Sequence, residues 1–157
     1  MVKCKSTTRF SSLEVPVILT QTDTTVGFLS QNKQKLYKIK ERKPTKPFIK
    51  VYNSFRSLNS STCRVPKNIR NLVRRSKKTT FIIKEKSFRV SSIALNSQIL
   101  NNITWIYSTS ANKSKEKFSL DFCEDKADII IQDINGLQEK KSSTLIKLNY
   151  KKKVKLR

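Results

Sequence analysis

Seven short apolar runs rich in β-branched residues punctuate the chain, at residues 15–20, 48–52, 80–84, 88–93, 103–107, 127–132 and 144–148, and none exceeds six residues. Runs of that length and composition make strands rather than helices. Between several of them the spacing turns helical. In residues 31–42, Leu36 and Ile39 stand three apart among Lys33, Lys35, Lys38 and Lys40, which predicts a short amphipathic helix with a basic face. Residues 66–75 open with Pro66 at a first helical position and place Ile69, Leu72 and Val73 on one face. Residues 93–102 and 119–125 carry a fainter helical spacing. The runs at 80–84 and 88–93 predict a hairpin across Lys84-Glu85-Lys86-Ser87, which argues against purely parallel winding. The expected fold class is therefore α/β, with a mixed sheet flanked by helices. Only two Gly and four Pro are present and no repeat is visible, so no flexible linker is expected and one compact unit is.

Composition enters where it excludes chemistry. The chain has 157 residues, no histidine and three widely spaced cysteines, Cys4, Cys63 and Cys123. A usual Cys/His zinc site is ruled out, as are Ser-His-Asp and Cys-His catalysis; the thiols read as reduced and structural. No apolar run approaches the ~18 residues of a membrane span, and the basic start of the chain has no apolar stretch behind it, so a soluble, cytoplasmic protein is expected without membrane partners. Thirty-four Lys and Arg against eleven Asp and Glu give a net charge of +23. Polyanions or anionic substrates are the default partners of such a chain. Lys, Asn, Ser and Ile are also the residues that an AT-rich genome favours, so a solvated basic surface stays open beside a binding one. The charge is uneven: residues 1–115 carry 24 basic and 4 acidic groups, residues 116–139 carry 2 and 7, and residues 140–157 carry 8 and 0.

Three hydroxyl-rich or basic segments stand at the ends of apolar runs. Gln21-Thr22-Asp23-Thr24-Thr25-Val26-Gly27-Phe28 follows the first run, and its hydroxyls and glycine could present donors to a ligand or form a plain turn. Lys40-Glu41-Arg42-Lys43-Pro44-Thr45-Lys46-Pro47-Phe48 sets cations before an apolar run, with two prolines stiffening the connection; fixed donors of this kind suit phosphate or carboxylate, and a solvated basic turn has the same composition. Ser108-Thr109-Ser110-Ala111-Asn112 is small and polar, as a close-approach site or a helix cap would be.

In this order and spacing the set resembles the YrdC-like family of threonylcarbamoyl-AMP synthases, of YrdC/YciO/YwlC type. That family has Pro-Thr-Glu/Asp-Thr-x-Tyr-Gly-Leu after its first core strand, then Lys-x-Arg before a Pro-Leu strand, later Ser-x-Asn, and finally Ser-Thr before a strand. Here these positions read Gln21 to Phe28, Lys40-Glu41-Arg42 with Pro47-Phe48, Ser110-Ala111-Asn112, and Ser142-Ser143-Thr144-Leu145. Phe88-Arg89-Val90 looks like the family's Val-Arg-x-Pro strand, and Leu156-Arg157 like its terminal Ile/Leu-Arg. The resemblance implies a short N-terminal segment over residues 1–13 and one YrdC-like domain over 14–157, a twisted mixed sheet flanked by helices. It implies a basic concave cleft formed by the loops around Thr22–Thr24, 40–46 and 108–112.

The implied reaction takes threonine, bicarbonate and ATP to threonylcarbamoyl-AMP and pyrophosphate, with Mg²⁺, for threonylcarbamoyladenosine synthesis in tRNA. By the same resemblance Lys40 and Arg42 would be the catalytic contacts to phosphate or the carbamate. Thr79, Ser110, Asn112 and Arg157 would join them on the nucleotide, and Thr22, Thr24, Arg89, Ser108 and Ser143 would hold threonine. No protein side chain is implied as a metal ligand. The adenylate would pass to threonylcarbamoyl-transferase proteins. The chain departs from the family pattern at Gln21 and Val26, where Pro and Tyr are usual, and at Arg75-Ser76-Lys77, where Pro-Gly-Pro is usual. These departures keep a second reading open, a non-catalytic YrdC-like protein that binds tRNA or double-stranded RNA. Its sequence has no aromatic RNA-recognition signature, and Trp105 and Tyr107 read as core.

Overall fold

The computed structural model describes residues 2–4, 15–41, 47–91, 103–113, 116–132, 134–149 and 152–157. In chain order the elements are β1 (Val2–Cys4), β2 (Ile18–Gln21), β3 (Val26–Ser30), α1 (Lys33–Lys40), β4 (Ile49–Tyr52), α2 (Phe55–Asn59), a 3-10 turn (Lys67–Ile69), α3 (Arg70–Arg75), β5 (Thr79–Ile83), β6 (Lys86–Val90), β7 (Trp105–Ser110), α4 (Leu120–Lys126), β8 (Ile129–Ile131), β9 (Thr144–Leu148) and β10 (Lys153–Lys155). They fall into two compact units. The first comprises Met1–Phe48 and Tyr107–Lys141, the second Ile49–Ile106 and Ser142–Arg157.

The first unit orders its strands β1-β8-β2-β3-β7. β2 and β8 run parallel while β2/β3 and β3/β7 are antiparallel, so the fold class is mixed α/β as expected. All five residues of β3 are buried. That strand lies where the sequence reads as a loop, because Thr22 to Thr25 reverse the chain so tightly that Val26-Gly27-Phe28 already pair with β2. Val17, Leu19, Val26, Phe28, Leu36, Phe48, Cys123, Ala127 and Ile130 form the core. α1 starts where Asn32 Oδ1 accepts the backbone N–H groups of Gln34 and Lys35 at 2.9 and 3.3 Å. It ends at Glu41, which turns left-handed at φ 47°. Lys38 and Lys40 occupy its last turn, where the helix dipole favours cations. Asp128 closes the unit over a long sequence distance, its Oδ2 accepting the Val17 N–H at 2.8 Å.

The second unit orders β4-β6-β5-β9-β10, with β4/β6 and β5/β9 parallel and β5/β6 and β9/β10 antiparallel. Its core joins Tyr52, Leu58, Val65, Val73, Phe81, Phe88, Ile146 and Leu148. The expected hairpin is present with a two-residue turn. Ile83 pairs with Lys86, and both Lys84 (φ 46°) and Glu85 (φ 64°) are left-handed, the geometry that matches strand twist. Pro66 precedes the 3-10 turn in an extended conformation (ψ 142°) instead of opening the helix, and its carbonyl accepts the Ile69 N–H at 3.1 Å. α2 had no forecast; Ser54 Oγ caps it at the Ser57 N–H, and Leu58 is fully buried. The helix expected at 93–102 lies outside the described residues, as do Arg42 and the rest of the 42–46 connection.

Candidate functional site

In the first unit the Thr-rich segment between β2 and β3 is a turn closed by its own hydroxyls. Thr22 Oγ1 donates to the Thr25 carbonyl at 2.7 Å and accepts the Thr24 N–H at 3.3 Å, and the Thr22 and Thr24 hydroxyls are 3.3 Å apart. Both side chains are buried, which fixes their oxygens in place. Residues 138–140 brace the turn: Gln138 N–H donates to Gln21 Oε1 at 2.9 Å, and Lys140 N–H to Thr25 Oγ1 at 3.2 Å. Gly27 follows, packed against β7. A Cβ there would stand 2.9 Å from the Thr109 carbonyl, 3.3 Å from Thr22 Cγ2 and 3.8 Å from Ser108 Oγ. The glycine thus leaves room for the Thr109 carbonyl, the Thr22 methyl and the Ser108 hydroxyl around the space a Cβ would fill.

The end of α1 meets the end of β7. Lys40 is 3% exposed, and its Nζ donates to the Ser110 carbonyl at 3.0 Å, to the Asn112 Oδ1 at 2.8 Å and to the Asn112 carbonyl. Ser110 Oγ donates to the same Asn112 Oδ1 at 2.6 Å, and Asn112 Nδ2 donates to the Glu116 carbonyl at 2.6 Å. An ammonium has three N–H groups, and three protein oxygens receive them here. All three are neutral oxygens of the loop that this side chain shapes. Contact between this ammonium and a bound anion requires exchange of at least one of these bonds.

The second unit assembles a different set. Thr80 Oγ1 and Ser143 Oγ are 2.9 Å apart, at 0% and 5% exposure, and Arg157 Nε donates to the Ser143 carbonyl at 3.2 Å. Thr79 Oγ1 turns away to the Lys77 carbonyl at 2.8 Å. Arg89 is buried on β6, in register with Val51 of β4. The structure thus brings together Lys40, Ser110 and Asn112, then Thr22, Thr24 and Ser108, then Ser143 and Arg157. Thr80 is the residue that sequence reading passed over. Two adjacent threonines opening a strand were its signal, since a period of two sends them to opposite faces.

Cys63 and Cys123 are buried where the thiolate is disfavoured. Burial pushes the Cys123 thiol up to about 11, against the opposing charge of Lys40, and its Sγ lies 3.2 Å from the Ala111 carbonyl. Burial also raises Cys63, opposed by Lys86 and Lys50. Both are free thiols. Among the described residues no three His, Cys, Asp or Glu side chains gather as a metal site, and Mg²⁺ normally needs one or two carboxylates beyond its substrate phosphates. Among the described residues no helix is long and apolar enough to cross a membrane.

The model of the Sua5/YciO/YrdC family, described as Telomere recombination, matches residues 16–157. The chain belongs to this family. Solved Sua5/YciO/YrdC folds similar to it include P. abyssi Sua5 complexed with L-threonine, 20% identical with a TM-score of 0.70 over 90% of this chain and 50% of that one. E. coli YciO is 19% identical with a TM-score of 0.68, over 91% of this chain and 82% of YciO. Full-length HypF in its phosphate- and nucleotide-bound form is 14% identical with a TM-score of 0.71, over 90% and 22%. Identities of this size establish the fold alone. The chain spans about half the length of P. abyssi Sua5. A search of curated proteins returns no match.

Proposed function

We propose that this Sua5/YciO/YrdC domain synthesises L-threonylcarbamoyl-AMP from threonine, bicarbonate and ATP, for threonylcarbamoyladenosine formation in tRNA. The threonine amine and bicarbonate carbon form a C–N bond with loss of water. A carbamate oxygen then attacks the α-phosphorus of ATP, and the bond to pyrophosphate breaks. Mg²⁺ enters with ATP as part of the substrate. The observation that carries the reading is the buried contact of Lys40 with Ser110 and Asn112. Residues separated by 70 positions and matching two family motifs support one polar loop. In this reading Ser110 and Asn112 offer a hydroxyl and an amide to the nucleotide, and Lys40 supplies positive charge behind them. The fixed Thr22 and Thr24 hydroxyls and Ser108 are assigned to threonine. Arg42, Thr79, Arg89, Ser143 and Arg157 are assigned as ligand contacts on the resemblance alone. Threonine in the P. abyssi Sua5 structure and nucleotide in the HypF structure support these ligand classes. Transferase proteins acting on tRNA would consume the product, and the cytoplasm is the compartment proposed.

A second reading is a non-catalytic protein that binds tRNA or double-stranded RNA; the uptake of the Lys40 N–H groups by protein oxygens favours its non-catalytic part alone. Pyrophosphate release by the purified chain, with and without threonine and bicarbonate at millimolar Mg²⁺, separates the two. Release that requires both co-substrates is expected. A folded protein that releases none overturns the synthase.

A further inference from the structure

Within the second unit, the parallel strands β5 and β9 give the sheet two chemically different ends. Thr79, Thr80 and Ser143 stand at their starts, and Lys147 pairs with Ile82 near their finishes, about 10 Å further on at ~3.3 Å per residue. At the finishing end a groove of about 1050 Å³ opens between the 59–70 segment, the β5–β6 turn and the last residues of β9. Arg64, Lys67, Arg70, Lys84, Lys86 and Lys147 line it, with Glu85 the single acidic lining residue. All but the half-buried Arg70 are exposed, and Arg70 is anchored by Nε donating to the Val65 carbonyl at 3.2 Å. Among the described residues no carboxylate lies within salt-bridge distance of any of the six. The left-handed pair Lys84 and Glu85 makes the tight turn that sets Lys84 and Lys86 on the rim.

We propose that this groove binds the sugar-phosphate backbone of a nucleic acid, at the end of the sheet opposite to Thr79, Thr80 and Ser143. Three features select that ligand. Six cations from three separate chain segments around so wide an opening suit a succession of phosphates better than a single one. No aromatic residue lines the groove, so bases have no stacking platform and contact is with phosphate and sugar, independent of sequence. Of its apolar lining residues, Cys63, Val65, Ile83 and Leu148 are buried at 3–8% exposure and Pro66 is half-buried, so no large apolar side chain stands out to insert into a lipid surface.

The test uses the full chain without ATP, threonine or bicarbonate, so it stands or falls independently of adenylate synthesis. Fluorescence anisotropy is recorded with labelled single-stranded RNA and DNA of about 20 nucleotides, and flotation with vesicles containing anionic lipid. Salt-dependent binding to RNA, DNA or both is expected, and the two arms identify the source of the backbone. The variant K84Q/K86Q/K147Q removes three exposed cations of the groove. Its affinity should fall at least about tenfold, and the slope of log K against log salt should drop by about 2, from ~0.7 per phosphate on a single strand. The variant K38Q/K117Q/K126Q removes the same charge from exposed positions of the first unit and should change affinity less than about threefold. Equal losses in both variants, an unchanged groove variant, no binding to either strand, or vesicle binding alone would each overturn the proposal.

Discussion

Lys40 Nζ lies 2.8 Å from Asn112 Oδ1, and the same amide oxygen receives the Ser110 hydroxyl. One buried cation therefore sets the conformation of two side chains assigned to the nucleotide. Replacing Lys40 by Ala should cost about 2 kcal/mol of stability, the scale of hydrogen bonds to a charged group, read by urea unfolding. Pyrophosphate release should fall by more than that, about 3 kcal/mol or over a hundredfold in kcat/KM. Lys40→Arg should not restore turnover, because a planar guanidinium cannot place three donors on oxygens arranged for an ammonium. Unchanged turnover in Lys40→Ala would remove the residue from the site.

Gly27→Ala is expected to cost about 1–3 kcal/mol, because the new methyl meets the Thr109 backbone carbonyl, which cannot rotate away. The loss should appear as a lower urea midpoint. Threonine-dependent activity should fall with it, since Thr22 and Ser108 both border that position. A midpoint equal to the parent would show that β7 shifts freely.

Ser143→Ala leaves the Thr80 hydroxyl without its buried partner and should destabilise by about 1–2 kcal/mol. Adding Thr80→Val removes both polar groups together, so the double variant should be less destabilised than the sum of the singles. Additive losses would show that the 2.9 Å contact carries no energy.

Cys123 has a folded pKa of about 11, raised by burial above the ordinary thiol value of 9.0. The sign follows from linkage: the neutral thiol is favoured by the fold. Its contribution is complete below the unfolded pKa and is lost as pH rises from about 9 to about 11. Unfolding midpoints measured across that window should fall in the parent and fall less in Cys123→Ala. Alkylation at pH 8 should be slow for Cys123 and Cys63 until denaturant is added.

In the β5–β6 turn, Lys84 and Glu85 hold left-handed conformations that cost a side-chain-bearing residue about 1 kcal/mol each. Glu85→Gly should therefore raise stability by up to about 1 kcal/mol, read as a higher thermal midpoint.

Much of the fold was legible wherever a strand or helix announces itself by period. The 144–148 run is β9 to the residue, and the 31–42 spacing yields α1 within two residues at each end. β3 escaped because a strand buried on every residue shows no alternation, and Gly27 at its centre reads as a turn. β1 and β10 are three-residue edges formed by pairing with β8 and β9, with too few residues to show a pattern. The site divides in the same way. Motif order pointed to Lys40, Ser110 and Asn112, yet nothing local says that the ammonium would be consumed by the loop beside it. The Thr79-Thr80 pair marks two opposite faces of a strand, but its partner Ser143 lies sixty-three positions from Thr80 and only the fold places them together. The groove cations are scattered from Arg64 to Lys147 and become a surface only through the strand register.

The 2.8 Å bond from Val17 to Asp128 joins residues 111 positions apart, and it belongs to a unit whose two stretches of chain enclose residues 49–106. During synthesis, β2 and β3 emerge early but must wait for β7 and β8 before their edges are satisfied. The second unit likewise waits for β9. A ribosome halted near residue 106 would therefore hold a chain with open sheet edges in both units, exposed to pairing with other chains. Completion of the last third of the sequence is what turns these edges inward.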